Sequence, residues 1–193
     1  MHTGLDLQGH TPRAMDFRFL FLEPQGRLAP KPFGRGFVLL TAVFMLITIA
    51  AAIAAPGIGV LQYALVFPYI CLFGKRLHDA GLSAWLWLAY LLGFSALNMF
   101  ISILLLPVLS PDAFALQAEM QEAMETRGLA AGFEMMAERA GEIAHLSVVT
   151  TVAAFLISSA LTGFAAYRMR SDKTTNRHGP PTDDSARVRG TFS

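Results

Sequence analysis

Long apolar runs separated by short polar punctuation set the organisation of this chain. From Phe37 to Ala55 no charged residue occurs, and only the hydroxyls of Thr41 and Thr48 interrupt the hydrocarbon. Such a run is long enough to cross a bilayer, which takes about 20 residues at 1.5 Å each. Pro56-Gly57-Ile58-Gly59 reads as a tight uncharged turn. A second apolar run begins at Val60 and must continue through Gly74-Lys75-Arg76-Leu77-His78-Asp79 to reach spanning length, with a kink expected at Pro68. Gly81 is read as the stop of that helix and Ser83 as the N-cap of the next. The third run covers Ala84 to Leu109, opens on Trp85, Trp87 and Tyr90 as an aromatic belt, and closes at Pro107 and Pro111. The fourth covers Leu146 to Tyr167.

The pattern predicts an all-α polytopic membrane protein with four transmembrane helices, over about 37–55, 60–79, 84–109 and 146–167. Residues 1–35 form an interfacial arm in which Pro24, Gly26, Pro30 and Pro32 argue against a long helix. The patch Phe17 to Leu22 either dips into the headgroups or packs on the protein's own surface. Residues 110–145 form an acidic loop, partly helical and broken near Gly128 and Gly132, whose apolar side (Phe114, Met120, Met124, Met135, Met136) lies on the membrane or caps the bundle. Residues 170–193 are polar, rich in Pro, Gly and Ser, and expected to be a disordered tail.

Composition agrees: 54% of the 193 residues are hydrophobic and 15% charged, against about 25% charged in soluble domains. The net charge of +1 gives no case for nucleic acid. The single cysteine, Cys71, excludes an internal disulfide and reads as a small hydrophobe. No cleavable leader is indicated, because the first run is a full span preceded by a polar stretch.

Charge placement orients the bundle. Arg13, Arg18, Arg27, Lys31 and Arg35 precede the first span, Lys75 and Arg76 follow the second, and six more cations follow the fourth. The loop after the third span carries only Arg127 and Arg139 against seven acids. By the positive-inside rule both termini and the 76–85 turn are cytoplasmic, which an even number of spans requires. The expected location is a bacterial inner (plasma) membrane, crossed several times.

The turn Arg76-Leu77-His78-Asp79-Ala80-Gly81-Leu82-Ser83-Ala84-Trp85 concentrates the candidate chemistry. Cations at a helix end complement its dipole, and Arg76 and Lys75 lie three and four residues from Asp79, within ion-pair reach. Together with Gly26, Arg27 and Phe33, the residues Arg76, Leu77, His78, Asp79, Gly81, Ser83 and Trp85 resemble the DUF805 group of small bacterial inner-membrane proteins, over roughly residues 17–106. The chain departs from that pattern at Pro30, Gly34 and Ala84, where the group has Arg, Trp and often Gly. The resemblance implies a multi-spanning membrane protein and carries no established activity.

Arg27, Lys75, Arg76, His78, Asp79 and Trp85 are therefore the candidate site for an anionic lipid headgroup or a membrane-protein partner. An alternative is that the turn is only a topological anchor. His78 and Asp79 as a proton-handling pair is a further reading. No catalytic residue, cofactor or metal site is assigned, since no hydrolase, kinase or zinc-protease spacing is present and too few ligands lie near His78. Expected partners are membrane lipids, a membrane protein or further copies of the chain. A small transporter or channel is the alternative function, with only Gln62, Asn98 and scattered hydroxyls to form a polar path. A lipid-modifying enzyme, with His78 and Asp79 serving Ser83, is a weaker one.

Overall fold

The computed structural model describes residues 17–182, and Arg13, Arg187, Arg189 and the ends of the expected arm and tail lie outside them. The described chain is helical: α1 (Phe17–Phe21), α2 (Pro30–Ile53), a 3-10 stretch over Pro56–Leu65, α3 (Val66–Asp79), a short 3-10 turn over Ala84–Leu86, α4 (Trp87–Leu109), α5 (Pro111–Arg127), α6 (Leu129–Glu138) and α7 (Ala140–Arg168). Among the described residues, four segments are long and apolar enough to cross a membrane: Pro30–Ile53, Gly57–Asp79, Ala84–Leu109 and Ala140–Arg168. The protein is thus an all-α, multi-pass membrane protein, with helix as the form in which each span satisfies its own backbone.

Several boundaries differ from expectation for identifiable reasons. The first span starts at Pro30, seven residues early. Pro30 and Pro32 do not block the helix, because the first turn has no use for their missing N–H groups. Pro68 falls in the first turn of α3, which begins at Val66, where its missing N–H breaks no helical hydrogen bond. The departure from α-helical geometry lies before it, in the ten-residue 3-10 stretch. Pro107 lies inside α4, which runs on to Leu109. Gly128, with φ of 92°, separates α5 from α6, whereas Gly132 sits inside α6, where a methyl group would overlap Met124.

The bundle is assembled around α7 and α2. Helix α4 packs on α7, α7 on α2, and α2 on the 3-10 stretch and α3. Helix α3 meets α4 through Phe73 and Tyr90, whose ring centroids lie 5.4 Å apart. Small residues allow close approach: a methyl group on Gly163 would overlap the Phe37 ring, and one on Gly36 would press on Leu72 and Leu20. Aromatic side chains fill the space between helices, with Phe33 set edge-on to Phe73 at 5.3 Å and Phe44 stacked on Phe155 at 4.3 Å. At the far end from the 76–85 turn, α5 turns Ala113, Leu116, Met120 and Ala123 inward at helical spacing. Of the expected apolar side, Met120 turns inward with this stripe, whereas Phe114 remains 51% exposed. Thr150 donates to Ser110 Oγ at 2.9 Å and ties α7 to the α4–α5 junction.

Candidate functional site

Helix α3 ends in a Schellman arrangement. The Gly81 N–H donates to His78 O at 3.1 Å and the Leu82 N–H to Leu77 O at 2.9 Å, with Gly81 at φ 75°. Only glycine adopts that left-handed position without strain. Ser83 occupies the N-cap position of the next turn in extended conformation, but its side chain makes no capping bond. The remaining carbonyls at the end of α3 are also used. Lys75 O accepts from Leu28 N–H at 3.1 Å, and Asp79 O accepts from Asp172 N–H at 2.7 Å. The arm and the tail are therefore built onto the helix end as extra caps.

Asp79 is fully buried at the centre. Its Oδ1 accepts from Arg27 Nε at 3.3 Å and from the Thr182 hydroxyl at 2.5 Å. Its Oδ2 accepts from Arg76 Nη1 at 2.6 Å and from the Ser171 hydroxyl at 2.5 Å. A carboxylate offers about four lone-pair positions, and all are taken. The ion pair expected between Arg76 and Asp79 is formed, and Arg27 reaches the same carboxylate from 52 residues away.

The three cations are equally committed. Arg76 donates through Nε to Ala166 O, through Nη1 to Ser171 Oγ as well as Asp79, and through Nη2 to Tyr167 O and Met169 O. It thereby caps the C-terminus of α7, where the carbonyls carry the negative end of the dipole. Arg27 donates through Nη1 to Thr174 O and Gly179 O, and through Nη2 to Asp79 O and Asp172 O. Lys75 Nζ donates to the carbonyls of Phe19, Leu20 and Glu23 and lies 4.3 Å from the Phe19 ring centroid, so it caps α1. A guanidinium has five N–H donors and an ammonium three; each is used within the chain.

His78 points the other way. Its Nδ1 faces Gly26 O at 3.1 Å, and because a carbonyl only accepts, that nitrogen carries the proton. Its ring lies parallel to that of His178, with centroids 3.6 Å apart and planes 9° apart. Among the described residues, no hydrogen bond joins His78 to Ser83. Trp85 stands apart from the cluster at 75% exposure, while Arg27, Lys75, Arg76, His78 and Asp79 are all buried.

The expectation of a disordered tail from residue 170 differs from the structure up to Thr182. Ser171, Asp172, Thr174, Asn176, His178, Gly179 and Thr182 all bond to, or stack on, the arm and turn. A Ser/Thr/Asp/Asn-rich sequence has too little apolar surface to fold alone. Here it is ordered by buried charges that need acceptors. Hydrogen bonds from the Thr174 N–H, the Thr174 hydroxyl and the Asn176 amide hold Asp172 below its ordinary pKa. Partial burial lowers the pKa of His178, assisted by His78, Arg177 and Arg27.

No protein-family model matches the chain, and no curated protein and no solved structure matches it.

Proposed function

We propose that this is a non-enzymatic inner-membrane protein of binding or structural role, in which the 76–81 turn is a lock and the surface it holds together is the part that meets lipid or partner. The observation that carries this reading is the saturation of Arg27, Lys75, Arg76 and Asp79 by groups of the same chain. A buried cation with every donor used has nothing left for a phosphate. Such a cluster instead fixes where arm, α3 and tail lie relative to one another. The candidate residues thus divide into an internal lock (Arg27, Lys75, Arg76, His78, Asp79) and an exposed anchor (Trp85).

Anionic headgroups would meet the exposed cations at the same end of the bundle. Lys31, Arg35, Arg168, Arg170 and Lys173 are solvent-facing, and each such residue near an anionic surface is worth about 1 kcal/mol. The positive-inside pattern supports a cytoplasmic position for this face. The DUF805 resemblance fits the same reading. Gly26, Arg27, Phe33, Arg76, Leu77, His78, Asp79 and Gly81, scattered over the sequence pattern, converge on the lock or the core beneath it. A transport role is less well supported, since the Gln62 amide donates to Thr48 Oγ1 at 2.8 Å.

Native mass spectrometry of the detergent-purified protein with phosphatidylglycerol tests the proposal. Lys31→Gln with Arg35→Gln and Arg168→Gln should reduce retained anionic lipid at unchanged thermal stability. Equal retention by this triple variant would refute the headgroup surface. Topology has a separate check: Glu125→Cys should react with an impermeant maleimide added outside intact cells.

A further inference from the structure

Between α3 and α4 the bundle holds a cavity of about 180 Å³. Its back wall is formed by Phe37 and Phe44 of α2 and Phe155 of α7, and its sides by Tyr69 and Phe73 on α3 and Trp87 on α4. Val66 on α3 and Leu91 on α4 also line it and are each 45% exposed. The mouth therefore opens sideways between these two helices, at the depth of the spanning segments. The cavity follows from the packing order, because α4 packs chiefly on α7 and α3 on α2, so that α3 and α4 touch each other only sparsely.

Three of the polar groups along its wall are engaged with neighbouring side chains. Gln62 Nε2 donates to Thr48 Oγ1, the Tyr69 hydroxyl is 3.5 Å from Thr41 Oγ1, and the Tyr90 hydroxyl donates to Met169 Sδ at 3.1 Å. What faces the space is almost wholly aromatic and aliphatic carbon. A polar cavity of this size would fill with water, whereas an apolar one of about 150 Å³ stays dry and accepts a benzene-sized molecule. From Gln62 to Phe73 the groove runs roughly 15–18 Å along the membrane normal, by helical rise. It is long and narrow, not round.

We propose that this groove is a binding site for one acyl chain of a membrane phospholipid, which enters sideways between α3 and α4 and lies along the Phe44–Phe155 stack. The occupant follows from the surroundings: the mouth faces the hydrocarbon of the bilayer, and acyl chains are what the bilayer presents there. Transfer from lipid to an apolar wall brings no hydrophobic gain. Selectivity arises from dispersion contacts with the rings, which an empty groove forfeits. This site is independent of the polar lock and of the exposed cations, so it stands or falls separately from the function proposed above.

The chain has two tryptophans, of which Trp87 lines the groove and Trp85 does not. Trp85→Phe therefore leaves one reporter in the site. The purified variant in dodecyl maltoside is titrated with phosphatidylcholine brominated along its acyl chain, a contact quencher of indole. Saturable quenching of Trp87 at one lipid per protein is expected. It should be lost when Ser159→Phe, or separately Thr162→Leu, fills the groove. Chains brominated near the carboxyl end should quench more than chains brominated near the methyl end, because Trp87 lies toward the turn; this readout needs no filling variant. Quenching that rises linearly with lipid, is indifferent to bromine position and survives both filling variants would overturn the site.

Discussion

Replacing Asp79 with alanine removes the carboxylate that bridges two buried guanidinium groups. Arg27 Nε and Arg76 Nη1 lose their charged acceptor, and the Ser171 and Thr182 hydroxyls lose theirs. Breaking a buried ion pair from one side costs about 3–5 kcal/mol, because the remaining charge stays desolvated. Two cations are left here, which pushes the cost up. Each keeps four donors on carbonyl or hydroxyl oxygens, which holds it down, so the same range of about 3–5 kcal/mol is expected. For a chain of this length each kcal/mol moves the melting temperature by about 2–4 °C, giving a fall of about 6–20 °C. Thermal melting in detergent, followed by the fluorescence of the tryptophans just after the turn, measures it. Arg27→Ala with Asp79→Ala should cost less than the sum of the single variants, with a coupling of about 1–3 kcal/mol. Trp85→Ala, exposed and outside the cluster, should leave melting unchanged within about 0.5 kcal/mol. An Asp79→Ala protein that melts with the wild type, or strictly additive double variants, would refute the lock.

Ending the chain after Arg170 should strip Arg27 of its acceptors at Asp172, Thr174 and Gly179; phenylglyoxal should then modify an arginine that the full chain protects, and unchanged protection would count against the tail's role. Acid should loosen the tail. A lowered imidazole pKa in the seated state means that the released tail binds more protons, so the seat weakens as pH falls through the ordinary imidazole range. The lowered carboxylate of Asp172 acts in the same direction, its contribution being present above the ordinary carboxylate range and lost at the acid extreme as pH falls through its lowered value. Hydrogen exchange over residues 171–182 should thus gain intrinsic-rate-corrected opening between about pH 7.5 and about pH 5.5, and tighter protection in acid would contradict the stacked His78–His178 arrangement. Gly81→Ala forces a side chain into left-handed backbone beside Asp172 and should cost about 1–2 kcal/mol in the same melting assay. Gly163→Ala should cost about 1–3 kcal/mol by displacing the Phe37 ring; no change would mean that the α2–α7 contact is looser than drawn.

The four spans were legible because hydrocarbon leaves few options: an uncharged run of sufficient length must bury its backbone polarity in a helix, whatever its neighbours. The stop at Gly81 and the Arg76–Asp79 pair were legible for a similar reason, since both are set by residues within one turn of each other. The start of α2 at Pro30 was not, because prolines read as breakers until their position in the first turn is known. The ordered tail was not legible either. Nothing in Ser171 to Thr182 promises structure, and its order comes from Arg27 and Asp79, far away in sequence, whose burial demands acceptors. The sequence by itself determined that the chain crosses a membrane as four helices and that cations gather at one end. Tertiary structure alone decided that Arg27, Lys75 and Arg76 face inward. Which charges are spent and which remain free depends on contacts across 52 to 152 residues, and no local pattern records such distances.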